Sequence, residues 1–186
     1  MEFFSAFHLG WLNGWLLLSL LVLTDIILLL SFQRGVVRRL FDRSGWTRSQ
    51  IILTLIGKLL SLGLIVIIIM TPLKLGFPVL WIRAGLVVLG LIGVVKALFD
   101  FQKAPPDQPV TDGLYRITRH PQIMASSLVI LGCTVAIGSW FGLMILFLAR
   151  FLLNANLVAE EQICLGTFGR DYQEYLERVP RYPFLR

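Results

Sequence analysis

Charged residues are scarce in this sequence. Asp, Glu, Lys and Arg make up 15% of its 186 residues, whereas 56% are hydrophobic and the mean hydropathy is +0.78. So little charge cannot cover the water-facing surface of a soluble domain, which excludes an ordinary soluble fold. The net charge of +6 could indicate nucleic-acid binding. In so apolar a chain, cytoplasmic loops and acidic lipid headgroups explain that charge better, and we expect no nucleic-acid partner.

Cysteine is also scarce. Cys133 and Cys164 are the two cysteines, and each lies in or next to an apolar run. Two thiols in such positions do not make a disulfide framework, and no spacing of cysteine and histidine is typical of a metal site. We therefore expect neither a disulfide nor a bound metal.

Long apolar runs are abundant instead. Three of them, from about Leu9 to Phe32, Gln50 to Met70 and Pro78 to Phe99, are long enough to cross ~30 Å of hydrocarbon. A fourth run from Pro121 to Ala159 is interrupted at Gly138-Ser139-Trp140, which predicts a hairpin of two more helices. The sequence therefore predicts an all-α integral membrane protein with about five transmembrane helices.

The chain becomes amphipathic after Gly166. Its apolar positions recur at helical spacing: Phe168, Tyr172, Tyr175 and Val179. This pattern predicts a C-terminal interfacial helix that ends at Pro180, with Tyr172 and Tyr175 as membrane anchors. We interpret residues 1–186 as one membrane domain. Residues 9–99 would supply transmembrane helices one to three, and residues 110–183 would hold the polar motifs.

The distribution of arginine predicts the orientation in the membrane. Residues 33–49 contain one acid, Asp42, and five arginines: Arg34, Arg38, Arg39, Arg43 and Arg48. The positive-inside rule makes this loop cytoplasmic, with the N-terminus outside and the C-terminus inside. Glu2 stands where a secretory signal peptide needs basic residues, so we interpret the first run as a retained span.

Two charges lie inside predicted spans. Asp25 and Lys58 are each eight residues from the cytoplasmic end of their helix, which puts both ~12 Å deep. Isolated charges at that depth are costly, so an ion pair or a shared hydrogen-bond network is one interpretation. In the other, Lys58 extends to the interface and Asp25 is protonated or bonded to a hydroxyl.

The densest polar segment between apolar runs is residues 113–121, Gly-Leu-Tyr-Arg-Ile-Thr-Arg-His-Pro. Proline is favoured at the first position of a helix, so we expect a helix to begin at His120 and Pro121. The free N–H groups of a helix start, beside Arg116, Arg119 and His120, predict an anion site. For His120 alone, a helix cap bonded to a loop carbonyl is the alternative.

The last predicted span carries several polar residues. On a helical wheel, Arg150, Asn154 and Glu161 lie within about 40° of one another, whereas Asn156 and Glu160 lie on another face. We therefore expect Glu161 and Arg150 to face the interior together and Glu160 to face a water-filled rim. Inward charges in an apolar helix indicate a functional site, and a structural ion pair is the alternative.

Together these motifs resemble the signature of membrane-embedded S-adenosylmethionine-dependent methyltransferases. That family includes isoprenylcysteine carboxyl methyltransferase and is related to phospholipid N-methyltransferase. The likeness covers residues 110–183 and rests on Gly113-Leu114-Tyr115, Arg119-His120-Pro121, Glu160-Glu161 and Phe168-Gly169-Arg170-Asp171-Tyr172-Gln173-Glu174-Tyr175. The sequence departs from the family pattern at Ile123, Ala125 and Asn156, and the first two changes predict a pocket that is narrower or that binds the cofactor differently.

The resemblance implies S-adenosylmethionine as cofactor and a lipid or isoprenylated compound, borne by the membrane, as methyl acceptor. It implies these cofactor-binding residues: Gly113, Tyr115, Arg119, His120, Pro121, Glu160 and Glu161. Glu161 and Arg150 are the candidate catalytic residues, and membrane lipids are the expected surroundings. Two alternatives stay open: a membrane reductase with a nicotinamide cofactor, which shares the Arg-His-Pro element, and a non-catalytic protein similar to the NnrU group.

Overall fold

The computed structural model describes residues 2–3, 7–40, 46–74, 76 and 79–183. Regular structure in this part of the chain is helical, as predicted. The described residues form seven α-helices: α1 Trp15–Ser31, α2 Arg34–Leu40, α3 Arg48–Met70, α4 Val79–Lys103, α5 Pro121–Ile137, α6 Trp140–Phe168 and α7 Arg170–Arg178. One 3-10 turn, Gly113–Arg116, precedes α5.

Five of these helices are apolar along most of their length. Those with the length and composition to cross a membrane are Arg48–Met70, Leu80–Lys103 and Trp140–Phe168, and α1 and α5 are shorter apolar helices of 17 residues. Their outward surfaces expose large apolar side chains such as Leu30, Leu89 and Phe151. The backbone N–H and C=O groups of a helix are hydrogen-bonded within the helix. Such a helix can therefore face lipid with apolar side chains. The protein is an all-α integral membrane protein.

The helix boundaries differ from the predicted ones at two places. The first apolar run becomes helical only at Trp15, because the Asn13 side chain donates to the carbonyls of His8 (2.5 Å) and Ile69 (3.0 Å) and holds the preceding residues in turns. At the other end of the chain, α6 continues past Ala159 to Phe168. The amphipathic helix begins only after Gly169, whose φ of 55° ends α6.

Two helix pairs, α4 with α5 and α3 with α6, form the bundle. Glycine permits the close approach in each pair. A Cβ added to Gly90 would lie 2.6 Å from Val129 Cγ2, and one added to Gly57 would lie 2.8 Å from Leu153 Cγ.

Backbone hydrogen bonds join several elements at one end of the bundle. Leu73 N donates to Leu12 O (2.8 Å), Lys74 N to Ala136 O (2.9 Å) and Gly14 N to Thr71 O (3.1 Å). The starts of α1 and α6 and the ends of α3 and α5 therefore lie together, and we call this the tied end. The opposite end carries the 3-10 turn, the start of α5, the end of α6 and α7, and we call it the motif end.

The chain folds back over the motif end through α7 and residues 179–183. Tyr175 Oη donates to Tyr115 O (2.8 Å), and Thr118 Oγ1 donates to Arg181 O (2.5 Å). Tyr172 and Tyr175 pack with Phe168 inside the protein and are 6% and 2% exposed. The prediction that they anchor the helix in the membrane interface was wrong, because α7 turns its apolar face onto α6. Burial raises the pKa of both phenols, so Tyr175 remains a neutral donor.

Candidate functional site

A cavity of about 600 Å³ opens at the motif end of the bundle. Its size is typical of a small-molecule site. Its walls come from α1, α2, α4, residues 106–110, the 3-10 turn, α5, α6 and α7. The polar side chains that line it are Asp25, Gln108, Tyr115, Arg119, His120, Gln122, Ser126, Arg150, Asn156, Glu160, Thr167, Tyr172 and Tyr175.

His120 joins the start of α5 to the end of α6. It is the N-cap of α5 and Pro121 is the first helical residue, as predicted. The imidazole is 9% exposed and lies between the two glutamates: Nδ1 is 3.6 Å from Glu160 Oε2, and Nε2 is 3.3 Å from Glu161 Oε1. The alternative of a cap bonded to a loop carbonyl is wrong, because both ring nitrogens face carboxylates.

Glu161 is buried behind this ring and does not line the cavity. Its Oε1 accepts from Arg119 Nη1 (3.2 Å) and Arg181 Nε (2.9 Å), and its Oε2 accepts from Arg181 Nη2 (2.5 Å). The inward orientation was predicted correctly, but the association with Arg150 was wrong. Arg150 lies eleven residues earlier on the same helix, ~16 Å along the axis, so the two side chains share a face without meeting.

Glu160 has a different environment from its neighbour. Its side chain is 39% exposed and lines the cavity, and its Oε2 lies 3.6 Å from His120 Nδ1. The prediction that the two glutamates face different surroundings is confirmed. Of the two carboxylates, that of Glu160 is the one a bound molecule can reach.

Arg119 holds the end of α7. Its Nε donates to Val179 O (2.7 Å) and its Nη2 to Leu176 O (2.6 Å), while Nη1 meets Glu161. A cation at these last carbonyls also complements the negative end of the helix dipole. All three nitrogens therefore bind protein groups, although Arg119 also lines the cavity.

Arg181 and Tyr182 were missed by the sequence analysis. Arg181 binds Glu161 at two points, and these hydrogen bonds raise the pKa of its guanidinium. Tyr182 Oη donates to Asn154 Oδ1 (2.8 Å). The available signal was the pair of prolines at 180 and 183, which indicates an ordered segment rather than a frayed chain end.

Gly113 shapes the turn without facing the cavity. Its φ is +63°, and an added Cβ would collide with the Asp100 carboxylate, which accepts a hydrogen bond from Leu114 N (2.9 Å). Of the seven predicted cofactor-binding residues, Tyr115, Arg119, His120 and Glu160 line the cavity. Gly113, Pro121 and Glu161 lie behind its wall.

The three departures from the family pattern occupy different places. Ile123 lines the cavity, and so does Asn156, which accepts a hydrogen bond from Thr54 Oγ1 (2.6 Å). Ala125 faces α4 instead, where a Cβ added to Gly93 would lie 2.9 Å from the Ala125 methyl group. The prediction that Ala125 narrows the pocket was therefore wrong.

The predicted ion pair between Asp25 and Lys58 is not formed. Asp25 makes no salt bridge within the described part of the chain and lines the cavity, whereas Lys58 is not among the cavity residues. Asp25 shares the cavity wall with Val94 of α4 and Ile123 of α5. Gln122 also lies on the cavity wall, and its side-chain nitrogen is buried without a hydrogen-bond partner among the described residues.

Fold and site together define an integral-membrane helical protein with a pocket of polar and apolar side chains at one end of its bundle. The chain matches the phospholipid methyltransferase family over residues 60–171, more than half of its length, and belongs to that family. None of the curated proteins compared matches it. The match includes His120, Glu160 and Glu161, so the protein is a membrane methyltransferase, and the resemblance predicted from its motifs is confirmed. Among the residues described, no group of three or more His, Cys, Asp or Glu side chains is placed to hold a metal.

Proposed function

We propose that the protein transfers the methyl group of S-adenosylmethionine to a lipophilic acceptor taken from the membrane. The observation that carries this proposal is the position of His120 and Glu160. Both lie on the wall of a cavity of about 600 Å³ and both fall within the residues that match the family.

The donors around the cavity fit the cofactor's acceptor groups. Gln122 and Ile123 line the cavity in the first turn of α5, where backbone N–H groups have no partner inside the helix. The buried Gln122 side-chain nitrogen adds a donor that has no acceptor among the described residues. Together with His120, these groups suit a carboxylate or a ribose hydroxyl.

The negative carboxylate of Glu160 is suited to bind the positively charged amino group of the cofactor. This partly exposed Glu160 carboxylate faces the same space, and His120 holds it from one side. We assign it to the amino group of the methionine moiety. Glu161 has no face toward the cavity, so we assign it to positioning His120, Arg119 and Arg181 rather than to proton transfer.

The rate of methyl transfer depends mainly on how the acceptor is placed relative to the methyl group. When bound, S-adenosylmethionine supplies a methyl group on a sulfonium with a good leaving group. The side chains must hold the acceptor in line with that methyl group and keep water away, and such alignment supplies much of the lowering of the barrier. Leu29, Val94 and Leu98 form an apolar wall that favours exclusion of water.

We also propose that the motif end lies in the cytoplasm and the N-terminus outside. Arg34 and Arg38 lie on α2 and Arg48 begins α3, so all three belong to the motif end. Arg43 lies outside the described residues. This distribution supports the orientation because arginine and lysine accumulate on the cytoplasmic side of membrane proteins.

Calorimetric binding of S-adenosylmethionine and of NADPH to the purified protein in detergent tests the proposal. We expect S-adenosylmethionine to bind and NADPH not to bind. Glu160→Gln should weaken cofactor binding about 10-fold or more, because it removes one charged partner. Glu174→Gln makes the same change in an exposed pair with Arg170 at the same end and should have little effect. A folded wild-type protein that binds no S-adenosylmethionine would overturn the proposal.

A further inference from the structure

The exposed arginines described at the motif end fall into two groups. Those of the first group each donate to a group of the protein four residues away: Arg116, Arg170 and Arg178. Those of the second group form no salt bridge within the described part of the chain: Arg34, Arg38 and Arg48. The second group therefore presents positive charge that the described residues do not neutralise.

Two arginines of the second group lie on one face of α2. Arg34 and Arg38 are four residues apart, so their side chains lie within about 40° of each other around the helix. The opposite face carries Val36, Val37 and Leu40, which are partly buried and pack against the core of the bundle. α2 is therefore amphipathic, with its apolar face on the protein and its basic face turned away from it.

A bend at Phe32 separates α2 from α1. Phe32 has an extended backbone with a φ of −88° and a ψ of 150°, so α2 does not continue the axis of α1. The Phe32 ring contacts the Phe99 ring on α4, with the ring centroids 6.0 Å apart. Since α1 is apolar up to this bend and α2 carries arginines, α2 lies where the hydrocarbon of the membrane meets the headgroups.

α2 also forms part of the cavity wall. Leu40 lines the cavity together with Asp25 and Leu29 of α1. A helix of seven residues is too short to be stable in water by itself, so α2 depends on what its two faces contact. The bundle supplies the contact for the apolar face.

We infer that the basic face of α2, formed by Arg34 and Arg38, binds the phosphates of anionic phospholipids at the membrane surface, and that this contact holds α2 over the cavity. A guanidinium matches phosphate in shape and charge, and basic segments next to a span are attracted to anionic lipid. Residues 33–49 contain five arginines and one aspartate, so this segment cannot neutralise itself. The inference does not depend on which molecule the cavity binds.

Hydrogen–deuterium exchange in lipid nanodiscs tests the contact on the wild-type protein. One disc contains phosphatidylcholine alone, and the other contains about one third phosphatidylglycerol, which is anionic. Amides of residues 36–40 should exchange about 10-fold more slowly in the anionic disc, because each arginine adds attraction to the surface. Amides of α4 should exchange equally in both discs. Equal exchange of α2 in the two discs would overturn the inference without any variant.

Salt and a soluble phosphate identify the source of the negative charge. Raising the salt from about 0.15 M to about 1 M shortens the Debye length from about 8 Å to about 3 Å and should remove most of the difference between the discs. Glycerol 3-phosphate added to the phosphatidylcholine disc should not slow the exchange of α2. Protection by the soluble phosphate equal to that by the anionic disc would show a site for free phosphate and overturn the membrane contact.

A pair of double variants assigns the effect to α2. Arg34→Gln with Arg38→Gln should exchange α2 at the same rate in both discs, and unchanged exchange in α4 shows that the bundle is folded. Arg170→Gln with Arg178→Gln removes the same charge from the exposed face of α7 at the same end and should keep the difference between discs. Loss of the difference in the α7 variant alone would contradict the assignment to α2.

The native cysteines report whether α2 covers the cavity. Cys164 lines the cavity and Cys133 is 0% exposed, so neutral N-ethylmaleimide should label Cys164 first. The anionic disc should slow labelling of the wild type about 3-fold more than that of the Arg34→Gln, Arg38→Gln variant, in which α2 is not held. The variant also corrects for the effect of surface charge on the thiol. Equal slowing of the two proteins would overturn the covering role of α2.

Discussion

Arg181 and Glu161 form a two-point ion pair between residues twenty positions apart in the sequence. Arg181 Nε lies 2.9 Å from Oε1, and its Nη2 lies 2.5 Å from Oε2. Since Arg119 and His120 meet the same carboxylate, one buried side chain joins α5, α6 and the segment after α7. The Glu161 carboxylate therefore links Arg181 to the His120 ring on the cavity wall.

Separate replacement of Glu160 and Glu161 should affect two different properties, the affinity for the cofactor and the stability of the fold. Glu161→Gln should lower the free energy of unfolding by about 3–5 kcal/mol, because it removes one partner of a buried charge cluster. Glu160→Gln should melt close to wild type and lose cofactor affinity instead, since Glu160 is 39% exposed and lines the cavity. Thermal melting in detergent measures the first effect and calorimetry the second. A lower melting temperature for Glu160→Gln than for Glu161→Gln would refute this division of roles.

His120→Ala should weaken S-adenosylmethionine binding about 10-fold or more with little loss of stability. Glu161 keeps Arg119 and Arg181 as partners in this variant, so the fold persists, but Glu160 loses the ring that holds it. His8→Ala is the control, because His8 is the other histidine and is exposed near the tied end. Unchanged cofactor affinity together with a large drop in melting temperature would make His120 a structural residue.

Arg119→Lys should loosen α7 from the bundle. Lysine keeps the charge but has one nitrogen in place of three, so it cannot reach Leu176 O, Val179 O and Glu161 together. Hydrogen–deuterium exchange should become faster over residues 170–183 and stay unchanged in α4. Arg116→Lys is the matched control, because Arg116 pairs on the surface with Asp112. Equal exchange in the two variants would count against the capping role of Arg119.

Gly113→Ala should destabilise the protein by about 1–3 kcal/mol, because alanine at a φ of +63° is strained and its methyl group meets Asp100. Gly166→Ala is a control of the same chemical change. Gly166 lies in α6, and beyond the adjacent residues and backbone of its own helix nothing lies within 4 Å of an added Cβ, so alanine there should stabilise the helix by about 0.5–1 kcal/mol. Chemical unfolding of both variants measures the difference, and equal stabilities would contradict the described geometry of the turn.

Reporter fusions test the topology directly. Fusions after residues 44, 108 and 186 should report the cytoplasmic side, and fusions after residues 75 and 139 should report the outside. The expectation follows from the arginines of α2 and α3, since positive residues favour the cytoplasmic side. An inside signal at residue 139 would mean that α5 and α6 do not form a transmembrane hairpin.

The sequence by itself determined the helical elements and the place of the motifs. Long apolar runs have no stable alternative to helix in a bilayer, so the all-α membrane fold followed from composition. Local signals located the breaks: Pro121 begins α5 and Gly138, with a φ of +68°, ends it. These are short-range effects that depend on a residue and its immediate neighbours.

The tertiary structure alone decided which side chains meet. A helical wheel gives the angle between Arg150 and Glu161 but omits the ~16 Å between them along the axis. The actual partners of Glu161 come from α5 and from residues that follow α7, and only the folding back of the chain brings Arg181 to it. Asp25 likewise lines the cavity, because rotation and tilt of α1 depend on packing against its neighbours rather than on spacing along the chain.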